Sequence, residues 1–335
     1  MREIVISKRG GPDVLQVREA PDPSPGPGQV RIEVAAAGVN FADTMARAGL
    51  YDDAPPIPCV VGYEVAGTVA GHGSGVDTTR LPLGTRVMAG TRFGGYAEQV
   101  VVPEADAIPL PDSLSFEQGA AIPVNYATAW AGLLGFGSLR KGERVLIQAA
   151  AGGVGIAATQ IARRVGAEIW GTASPGKHDA IRAQGVEHPL DYTQDGWERD
   201  LPGMDLIMDA VGGESFRRSY GLLRPGGRLI AFGASSILPG EKRSIAKALP
   251  QALRMIRGFN LVDQMSESKA VIGLNMLRLW DDRGTLTPWI DPLEEMIAEG
   301  AIQPVISDVI AFDQAPEAHR ILAERRNIGK VVLVP

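Results

Sequence analysis

Residues 143–172 read ERVLIQAAAGGVGIAATQIARRVGAEIWGT, and this stretch decides the fold. Val145–Ile147 is a short apolar run flanked by charge, as is typical of a buried parallel strand. After a glycine-rich turn, small and apolar residues recur at helical spacing up to Gly166, a suitable helix C-cap. Ala167–Thr172 then returns as the next strand. This order of strand, turn, helix and strand predicts an α/β fold with a doubly wound parallel sheet that binds a dinucleotide.

The turn fits the G-x-G-x-x-G pattern, with Ala150, Gly152 and Gly155 at its three small positions. A small first residue permits the tight turn, the second lets the backbone approach a pyrophosphate, and the third lets the helix lie close to the strand. The pyrophosphate would then meet the free amides at the positive end of the helix dipole. A glycine-rich turn can also be purely structural, but the flanking strand and helix favour the nucleotide.

The composition describes an ordinary globular protein. The chain has 335 residues, 45% hydrophobic and 21% charged, with a formal net charge of −6. It is long enough for two domains, and its mild acidity argues against nucleic acid as a partner. No segment is apolar over the roughly eighteen residues that an integral membrane helix needs, and the N-terminus shows no signal peptide. The single cysteine, Cys59, suits a reducing compartment, so we expect a cytoplasmic protein.

The residues up to about 120 differ in their sequence pattern from the residues that follow. Up to about residue 120, short β-like runs alternate with turns such as PDPSPGPG at 21–28 and GHGSG at 71–75, which predicts a β-barrel or folded-over sheet. Beyond it, strands and helices alternate, which predicts the parallel sheet. The last run, Lys330–Val334, reads as a strand that returns to the first domain.

Residues 241–258 form a basic stretch, EKRSIAKALPQALRMIRG, with apolar residues at helical spacing. Such a segment could lie on a membrane surface or form an ordinary pair of docked helices. Pro250 in the middle of the segment and its modest hydrophobicity favour the docked pair.

Six motifs together resemble one family. They are AAGVNFADTMARAGLY (36–51), PPIPCVVGYEVAGTV (55–69), AAAGGVG (149–155), GTASPGKHDAI (171–181), HPLDY (188–192) and NIGKVVLVP (327–335). With them the chain resembles the zinc-free quinone oxidoreductases of the medium-chain dehydrogenase/reductase superfamily, closest to the branch of the vesicle amine transport protein homologue. The resemblance covers essentially the whole length.

The resemblance implies a GroES-like β-barrel domain made of residues 1–120 and 290–335, and a Rossmann domain made of residues 121–289. It also implies a cofactor site in the cleft between the two domains. Carried over by position, the expected cofactor contacts are Asn40, Thr128, Gly152, Gly153, Val154, Thr172, Ser174, Lys177, Tyr192, Phe232, Gly233, Gly273, Leu274, Asn275 and Asn327.

The end of the second strand predicts NADPH as the cofactor. Rossmann units that bind NAD usually place a carboxylate there to hold the ribose 2′-hydroxyl. Here the strand ends Gly171–Ser174 without a carboxylate, and Lys177 follows, whereas Asp179 is expected to point away on the next helix. A hydroxyl and an ammonium group suit a 2′-phosphate.

Zinc chemistry lacks its ligands, so we expect no metal. A catalytic zinc needs about three Cys, His or carboxylate ligands. In the resemblance, Asn40 and Tyr63 stand where zinc-dependent relatives carry Cys and His, and Tyr63 also departs from the non-aromatic residue of many zinc-free relatives. Cys59 is expected to be a small buried residue. The four histidines, His72, His178, His188 and His319, show no ligand spacing and are expected at the surface or in turns.

The expected catalytic residues are Tyr51 and Asn40. The resemblance places Tyr51 at the nicotinamide end of the cleft, where its phenol could donate to a carbonyl oxygen or only line the pocket. Asp43, in an N-x-x-D turn, could act as a general acid but is expected rather to hold backbone groups.

The predicted function is therefore zinc-independent transfer of hydride from NADPH to a quinone or an α,β-unsaturated carbonyl compound. The alternative from another class is a nucleotide-binding protein that associates with lipid or membrane and has little catalytic activity. The apolar strand Val271–Asn275 predicts a homodimer joined edge to edge.

Overall fold

The computed structural model describes residues 1–236 and 259–335. It divides into two compact units: residues 1–127, 277–291 and 303–335 form the first, and residues 128–276 and 292–302 form the second. This division differs from the expected boundaries, because residues 277–291 belong with the first unit and residues 292–302 with the second. The segment 241–258 of the sequence analysis lies outside the described residues.

Side-chain packing explains why residues 277–291 belong to the first unit. The Trp280 ring lies so close to Gly90 that a Cβ at this glycine would come within 2.5 Å of the indole. Asp281 accepts two hydrogen bonds from the Arg92 guanidinium, at 2.6 and 3.0 Å. The backbone amide of Leu286 donates to Asp106 at 3.2 Å. These contacts join positions nearly 190 residues apart, so no local pattern could have placed the boundary.

The first unit is built on sheets that are antiparallel except for one parallel pair, β15 with β16, as expected for a GroES-like domain. A seven-stranded sheet runs in the order β15-β16-β3-β5-β6-β8, with β7 also paired to β3, and a three-stranded sheet runs β2-β1-β4. The strands are β1 Arg2–Ile6, β2 Leu15–Glu19, β3 Gln29–Val39, β4 Cys59–Val60, β5 Glu64–His72, β6 Arg86–Gly90, β7 Gln99–Pro103, β8 Ala107–Pro109, β15 Ile306–Ala311 and β16 Lys330–Val334. Val331 of β16 lies opposite Val39 of β3, which confirms that the last strand returns to the first domain.

Helices close the first unit around a core of buried aliphatic side chains. They are α1 Phe41–Ala48, α2 Phe116–Gly119, α3 Pro123–Trp130, which spans the division at residue 127, α8 Met276–Arg283, α9 Thr287–Ile290 and α11 Ala315–Ala323. Helix α1 begins at a capping box formed by Asn40 and Asp43 and ends at Gly49, whose φ of 72° suits a glycine. Asn40 is thereby held at the junction of β3 and α1.

The second unit is the predicted parallel sheet, in the order β11-β10-β9-β12-β13-β14. Its strands are β9 Arg144–Ile147, β10 Glu168–Ala173, β11 His188–Asp191, β12 Met204–Asp209, β13 Leu223–Ala231 and β14 Ala270–Gly273. Its helices are α4 Gly153–Val165, α5 His178–Gln184, α6 Glu214–Leu222, α7 Leu261–Glu267 and α10 Glu294–Ala298, besides the π-helical turn Ala131–Phe136. Residues 224–227 lie inside β13, where the pairing with β12 shifts register and Gly226 has a φ of 83°.

A small core covers one part of this sheet, with Leu146, Trp170, Ile207 and Leu229 among its buried members. The rule that parallel strands are buried on both faces holds here, since every residue of β12 is buried, Asp205 and Asp209 included. Within residues 1–236 and 259–335, no helix is both long and apolar enough to cross a membrane.

Candidate cofactor and active site

The glycine-rich turn joins β9 to α4 as the sequence predicts. Gly152 is the N-cap of α4 and provides no capping side chain, and the amide of Ile156 donates the helix's first bond to the Gly152 carbonyl at 2.9 Å. The amides of Gly153, Val154 and Gly155 therefore precede the first intrahelical bond, at the positive end of the dipole. A Cβ at Gly155 would lie 2.4 Å from the Ala149 carbonyl oxygen. The turn thus offers amides to an anion and leaves no room for a side chain.

The other expected contacts of the second unit follow the carboxyl ends of neighbouring parallel strands. Ser174 and Lys177 follow β10, Tyr192 follows β11, Phe232 and Gly233 follow β13, and Gly273, Leu274 and Asn275 end β14. Because all these strands are parallel, their carboxyl ends share one edge of the sheet, the edge where open α/β sheets bind ligands. A Cβ at Gly233 would lie 2.6 Å from the Ala210 carbonyl oxygen, so the backbones of two strand ends run in contact there. The structure brings this set together.

Thr172 and Thr128 are buried, whereas most of the other expected contacts are partly or fully exposed. Thr172 is 1% exposed, and its hydroxyl donates to Gln148 Oε1 at 2.8 Å and accepts the Ala149 amide at 3.0 Å. Thr128, on α3, is 7% exposed. The hydroxyl of Thr172 is thus used to brace the turn between β9 and α4, a role the sequence analysis did not assign.

A buried polar chain that the sequence analysis missed continues from Thr172. Gln148 Nε2 donates to Ser219 Oγ at 3.3 Å, and Ser219 Oγ donates to Asp209 Oδ2 at 2.8 Å. Asp209 also accepts the Ser215 hydroxyl and the Val211 amide, at 2.7 and 2.8 Å. Burial raises the pKa of Asp209 above its ordinary value, although these three donors and the Gly212 amide oppose the rise. The chain ties the ends of β9, β10 and β12 to one another, which holds the candidate nucleotide edge rigid.

In the first unit, Asn40 belongs to a buried charged cluster with Glu64 and Lys330. Asn40 Nδ2 donates to Glu64 Oε1 at 3.0 Å, and Lys330 Nζ donates to Asn40 Oδ1 at 2.7 Å. Lys330 also forms an ion pair with Glu64, whose side chains are 3% and 0% exposed respectively. The amide oxygen of Asn40 and one of its amide hydrogens are therefore already used.

The second carboxylate oxygen of Glu64 accepts the Val124 amide at 2.7 Å, at the start of α3. Glu64 is enclosed, since a Cβ at Gly38 would lie 2.7 Å from its Cγ. All three donors to this carboxylate are thus provided by β16, the β3–α1 junction and α3. We term Asn40, Glu64 and Lys330 the charged triad; only Asn40 was expected from the sequence.

Asp43 holds backbone groups, as expected. Its Oδ2 accepts the Asn40 amide at 2.7 Å and its Oδ1 accepts the Gly62 amide at 3.0 Å. The Tyr96 hydroxyl donates to Oδ2 at 2.9 Å. Burial raises the pKa of Asp43 to about 6 against these hydrogen bonds. The carboxylate therefore links the β3–α1 junction to the loop at Gly62.

The expectation that all four histidines lie at the surface or in turns is wrong for His319. This side chain is 0% exposed, and its Nε2 lies 3.2 Å from the Tyr96 hydroxyl. Burial, together with the nearby charge of Arg47, lowers the pKa of His319 to about 3, so the ring is neutral. The reason is that His319 lies on the buried face of α11, which a lone polar residue in an amphipathic helix does not reveal.

Two further tyrosines lie near Asp43. Tyr51 is half-buried, and burial followed by the charge of Asp53 raises its pKa to about 12, so its phenol stays protonated. Tyr63 is 5% exposed, and its ring packs against Phe93 with 5.2 Å between centroids. Burial raises the pKa of Tyr63 well above the ordinary value. Both groups are therefore hydrogen-bond donors at neutral pH.

Asn327 and Cys59, two further residues of the sequence analysis, both lie in the first unit. Asn327 is half-buried in the loop before β16, and its Nδ2 donates to the Gly329 carbonyl at 2.8 Å. Cys59 is 8% exposed, which confirms a small buried residue. In the part of the chain that the structure describes, no three His, Cys, Asp or Glu side chains are placed to hold a metal ion.

Comparison with known proteins identifies the family. Residues 26–112 match the alcohol dehydrogenase GroES-like domain and residues 184–333 match a model described as zinc-binding dehydrogenase. The synaptic vesicle membrane protein VAT-1 homologue of Rattus norvegicus is 38% identical over 100% of this chain and 84% of its own length.

Two solved structures are similar over the whole chain. The human VAT-1 homologue-like protein superposes with a TM-score of 0.85 at 30% identity, covering 100% of this chain and 98% of its own. The Escherichia coli quinone oxidoreductase complexed with NADPH gives 0.84 at 29% identity and covers 100% of both chains. The chain belongs to the medium-chain dehydrogenase/reductase superfamily of oxidoreductases. Within it, the chain groups with the VAT-1 homologues, as the motifs indicate.

Proposed function

We propose that the protein is an NADPH-dependent, zinc-independent reductase of quinones or α,β-unsaturated carbonyl compounds. The observation that carries the proposal is the carboxyl edge of the parallel sheet, where unbonded helix amides at Gly153–Gly155 lie beside the end of β10 with Ser174 and Lys177. Such an edge suits the pyrophosphate and the 2′-phosphate of NADPH. The similar E. coli quinone oxidoreductase was solved with NADPH, which supports this choice.

The chain's residues would hold the cofactor and prepare an acceptor. NADPH, when bound, supplies the hydride. The Gly153–Gly155 amides would hold its pyrophosphate, and Ser174 and Lys177 its 2′-phosphate. Tyr51, whose pKa of about 12 keeps its phenol protonated at neutral pH, would donate to the acceptor's carbonyl oxygen. Asn40 would place the nicotinamide end, with its amide orientation set by Glu64 and Lys330.

Conjugated acceptors fit this site better than simple alcohols. Oxidation of an alcohol requires removal of its proton, which zinc enzymes achieve by lowering the pKa of a metal-bound oxygen. The residues around Asn40 and Tyr63 offer no such set of ligands. A conjugated acceptor needs only neutral donors at the oxygen that receives the charge.

The test is an assay of NADPH oxidation with a panel of quinones and enones, run beside NADP⁺ reduction with simple alcohols. We expect quinones and enones to be reduced faster than alcohols are oxidised, with chelators leaving the rate intact. Tyr51→Phe should lower kcat on the order of a hundredfold, as loss of an oxyanion donor does. Faster turnover of ethanol-type alcohols, or stoichiometric zinc in the purified protein, would contradict the proposal.

A second candidate is a nucleotide-binding protein that associates with membranes and has little activity. The observation that favours it is the exposure of three apolar side chains on α7: Leu261, Val262 and Met265 are 68%, 69% and 72% exposed. The VAT-1 relatives are also named as membrane proteins. Flotation of the protein with liposomes, together with tight NADPH binding but no oxidation with any acceptor, would favour this function over the first.

We propose in addition a cytoplasmic homodimer joined through β14. This strand ends the described parallel sheet, and its residues Val271 and Ile272 are only half-buried. An apolar edge strand of this kind pairs readily with a copy of itself. Light scattering should give a dimer mass at micromolar concentration, and Ile272→Pro should give a folded monomer. A monomeric wild type, or a dimer that survives this substitution, would contradict the interface.

A further inference from the structure

Tyr63 has a buried phenol whose hydroxyl has no hydrogen-bond partner in the described part of the chain. The residue is 5% exposed, and its Oη is shielded from solvent. Its main chain is held, since the Tyr63 carbonyl accepts the Thr91 amide at 2.9 Å. A buried hydroxyl without a partner costs free energy, and in a native protein each such group calls for an explanation.

Tyr96, in the same unit, is a buried tyrosine whose phenol has a structural role. It is 0% exposed, more deeply buried than Tyr63, yet its hydroxyl donates to Asp43 at 2.9 Å and lies 3.2 Å from His319. Of two buried tyrosines near one carboxylate, Tyr96 therefore has partners for its hydroxyl, whereas Tyr63 has none among the described residues. Packing alone would be served equally well by phenylalanine at position 63.

The surroundings of Tyr63 suit a planar ligand. The Tyr63 ring packs against the half-buried Phe93 with 52° between the ring planes. The Arg92 guanidinium lies 5.2 Å from the centroid of the Phe93 ring. Tyr51, also half-buried, lies near enough for its charge to act on the phenol of Tyr63. The half-buried Phe93 ring that packs on Tyr63 offers a stacking surface to a conjugated molecule.

Tyr63 is also the donor that a ligand could use without breaking an existing bond. Asn40 already gives one amide hydrogen to Glu64 and its oxygen to Lys330. A ligand oxygen beside Asn40 must share that amide, whereas one beside Tyr63 would satisfy a hydroxyl that the fold leaves unsatisfied.

We propose that the Tyr63 hydroxyl donates a hydrogen bond to the carbonyl oxygen of the conjugated acceptor. This inference rests on the reductase function proposed above and adds a second catalytic tyrosine to it. When hydride forms a C–H bond at the electrophilic carbon, the π electrons move onto the carbonyl oxygen, and Tyr63 stabilises the negative charge there. Water then protonates the enolate or hydroquinone anion and leaves hydroxide, so the acceptor has gained one hydride and one proton, and NADPH has become NADP⁺.

The experiment compares Tyr63→Phe with Tyr96→Phe, which removes the bonded phenol. We expect Tyr63→Phe to keep or raise the melting temperature and to lower kcat on the order of tenfold to a hundredfold, because an oxyanion donor is lost. Tyr96→Phe should lower the melting temperature, because Asp43 loses a donor. A drop in the melting temperature of Tyr63→Phe that equals that of Tyr96→Phe would assign Tyr63 a structural role and overturn the inference.

A second measurement separates this inference from the proposed function. N,N-dimethylbenzamide has a planar ring and a carbonyl acceptor, but hydride does not reduce it, so its binding can be titrated whether or not turnover occurs. We expect Tyr63→Phe to weaken its binding about tenfold, which corresponds to about 1.4 kcal/mol. Equal affinity of wild type and variant, or an unchanged kcat with the best acceptor, would overturn the role of Tyr63. A wild type that oxidises no NADPH would overturn the reductase function, while the titration would still decide whether Tyr63 binds a carbonyl.

Discussion

The glycine-rich turn of the second unit and the charged triad of the first hold their backbones by opposite means. The turn depends on the absence of side chains, since a Cβ at Gly155 would come within 2.4 Å of the Ala149 carbonyl oxygen. The triad depends on three polar side chains, with Lys330, Glu64 and Asn40 each buried and each bonded to the others.

The two regions also differ in how far apart their residues lie in the chain. The turn is contained between Ala149 and Ile156, whereas Lys330 bonds Asn40 across 290 positions and Glu64 across 266. The candidate nucleotide edge therefore depends on residues that are close in the sequence, whereas the environment of Asn40 depends on the folding of the whole first unit. Substitutions in the two regions should therefore fail in different ways.

The largest effect is expected for Lys330→Met, which leaves the Glu64 carboxylate buried without its charged partner. Breaking one partner out of a buried ion pair costs about 3–5 kcal/mol. We expect a loss of this size in the free energy of unfolding from urea titrations. The double variant Lys330→Met/Glu64→Gln should recover part of it, because no charge remains buried. A loss below about 1 kcal/mol in the single variant would mean that the triad contributes little.

The next effect is that of Gly155→Ala in the turn. The atoms that would meet the new methyl group are backbone atoms of Ala149 and Ala150, which cannot rotate away, so overpacking should cost about 1–3 kcal/mol. Binding of NADPH should fall with it, because the helix amides shift. Gly221→Ala is the matched control: it lies in α6 with nothing within 4 Å, so it should be neutral or stabilising. If both alanine variants behaved alike, close packing would not explain Gly155.

A smaller effect, visible only as pH changes, is expected near the triad at His319. Its folded pKa of about 3 lies below the ordinary 6.5, so its contribution is complete above pH 6.5 and is lost as the pH falls towards 3. Asp43 acts in the opposite direction: its folded pKa of about 6 lies above 3.8, so the folded state gains stability as the pH falls from 6 to 3.8.

His319→Gln removes the pH-dependent contribution of the histidine and leaves that of Asp43. As the pH falls from 6 to 4, the unfolding free energy of the variant relative to that of the wild type should therefore rise by up to about 1.4 kcal/mol per pH unit. Urea titrations of both proteins at pH 7, 6, 5 and 4 would measure this difference. A constant difference across that range would show that His319 is not a neutral buried ring.

The smallest effect in free energy is expected for Lys177→Ala, at the nucleotide edge. Loss of one ammonium from a 2′-phosphate should weaken NADPH binding about tenfold, or about 1.4 kcal/mol, and leave NADH almost unchanged. Arg182→Ala, an exposed basic residue of α5 that pairs with Asp179, should alter neither affinity. Titration of both nucleotides into the three proteins would measure the selectivity. Equal affinity of the wild type for NADPH and NADH would contradict the assignment.

The sequence alone was sufficient for the architecture of the second unit. Its strands and helices are marked by local periodicity, and the parallel order then places every strand's carboxyl end at one edge. Gly152, Ser174 and Lys177 could be placed there without coordinates, because they follow the predicted strands Val145–Ile147 and Ala167–Thr172 within a few residues. The return of β16 to the first unit was also predictable, since a strand at the end of the chain must find a sheet.

Only the tertiary structure decided what surrounds these elements. It paired Lys330 with Glu64, buried His319 against Tyr96, left the hydroxyl of Tyr63 without a partner among the described residues and placed residues 277–291 in the first unit. The physical reason is that hydrophobic periodicity and turn chemistry are properties of neighbouring residues. The partner of a buried polar atom instead depends on which distant strand or helix packs against it, and a single sequence carries no local trace of that partner.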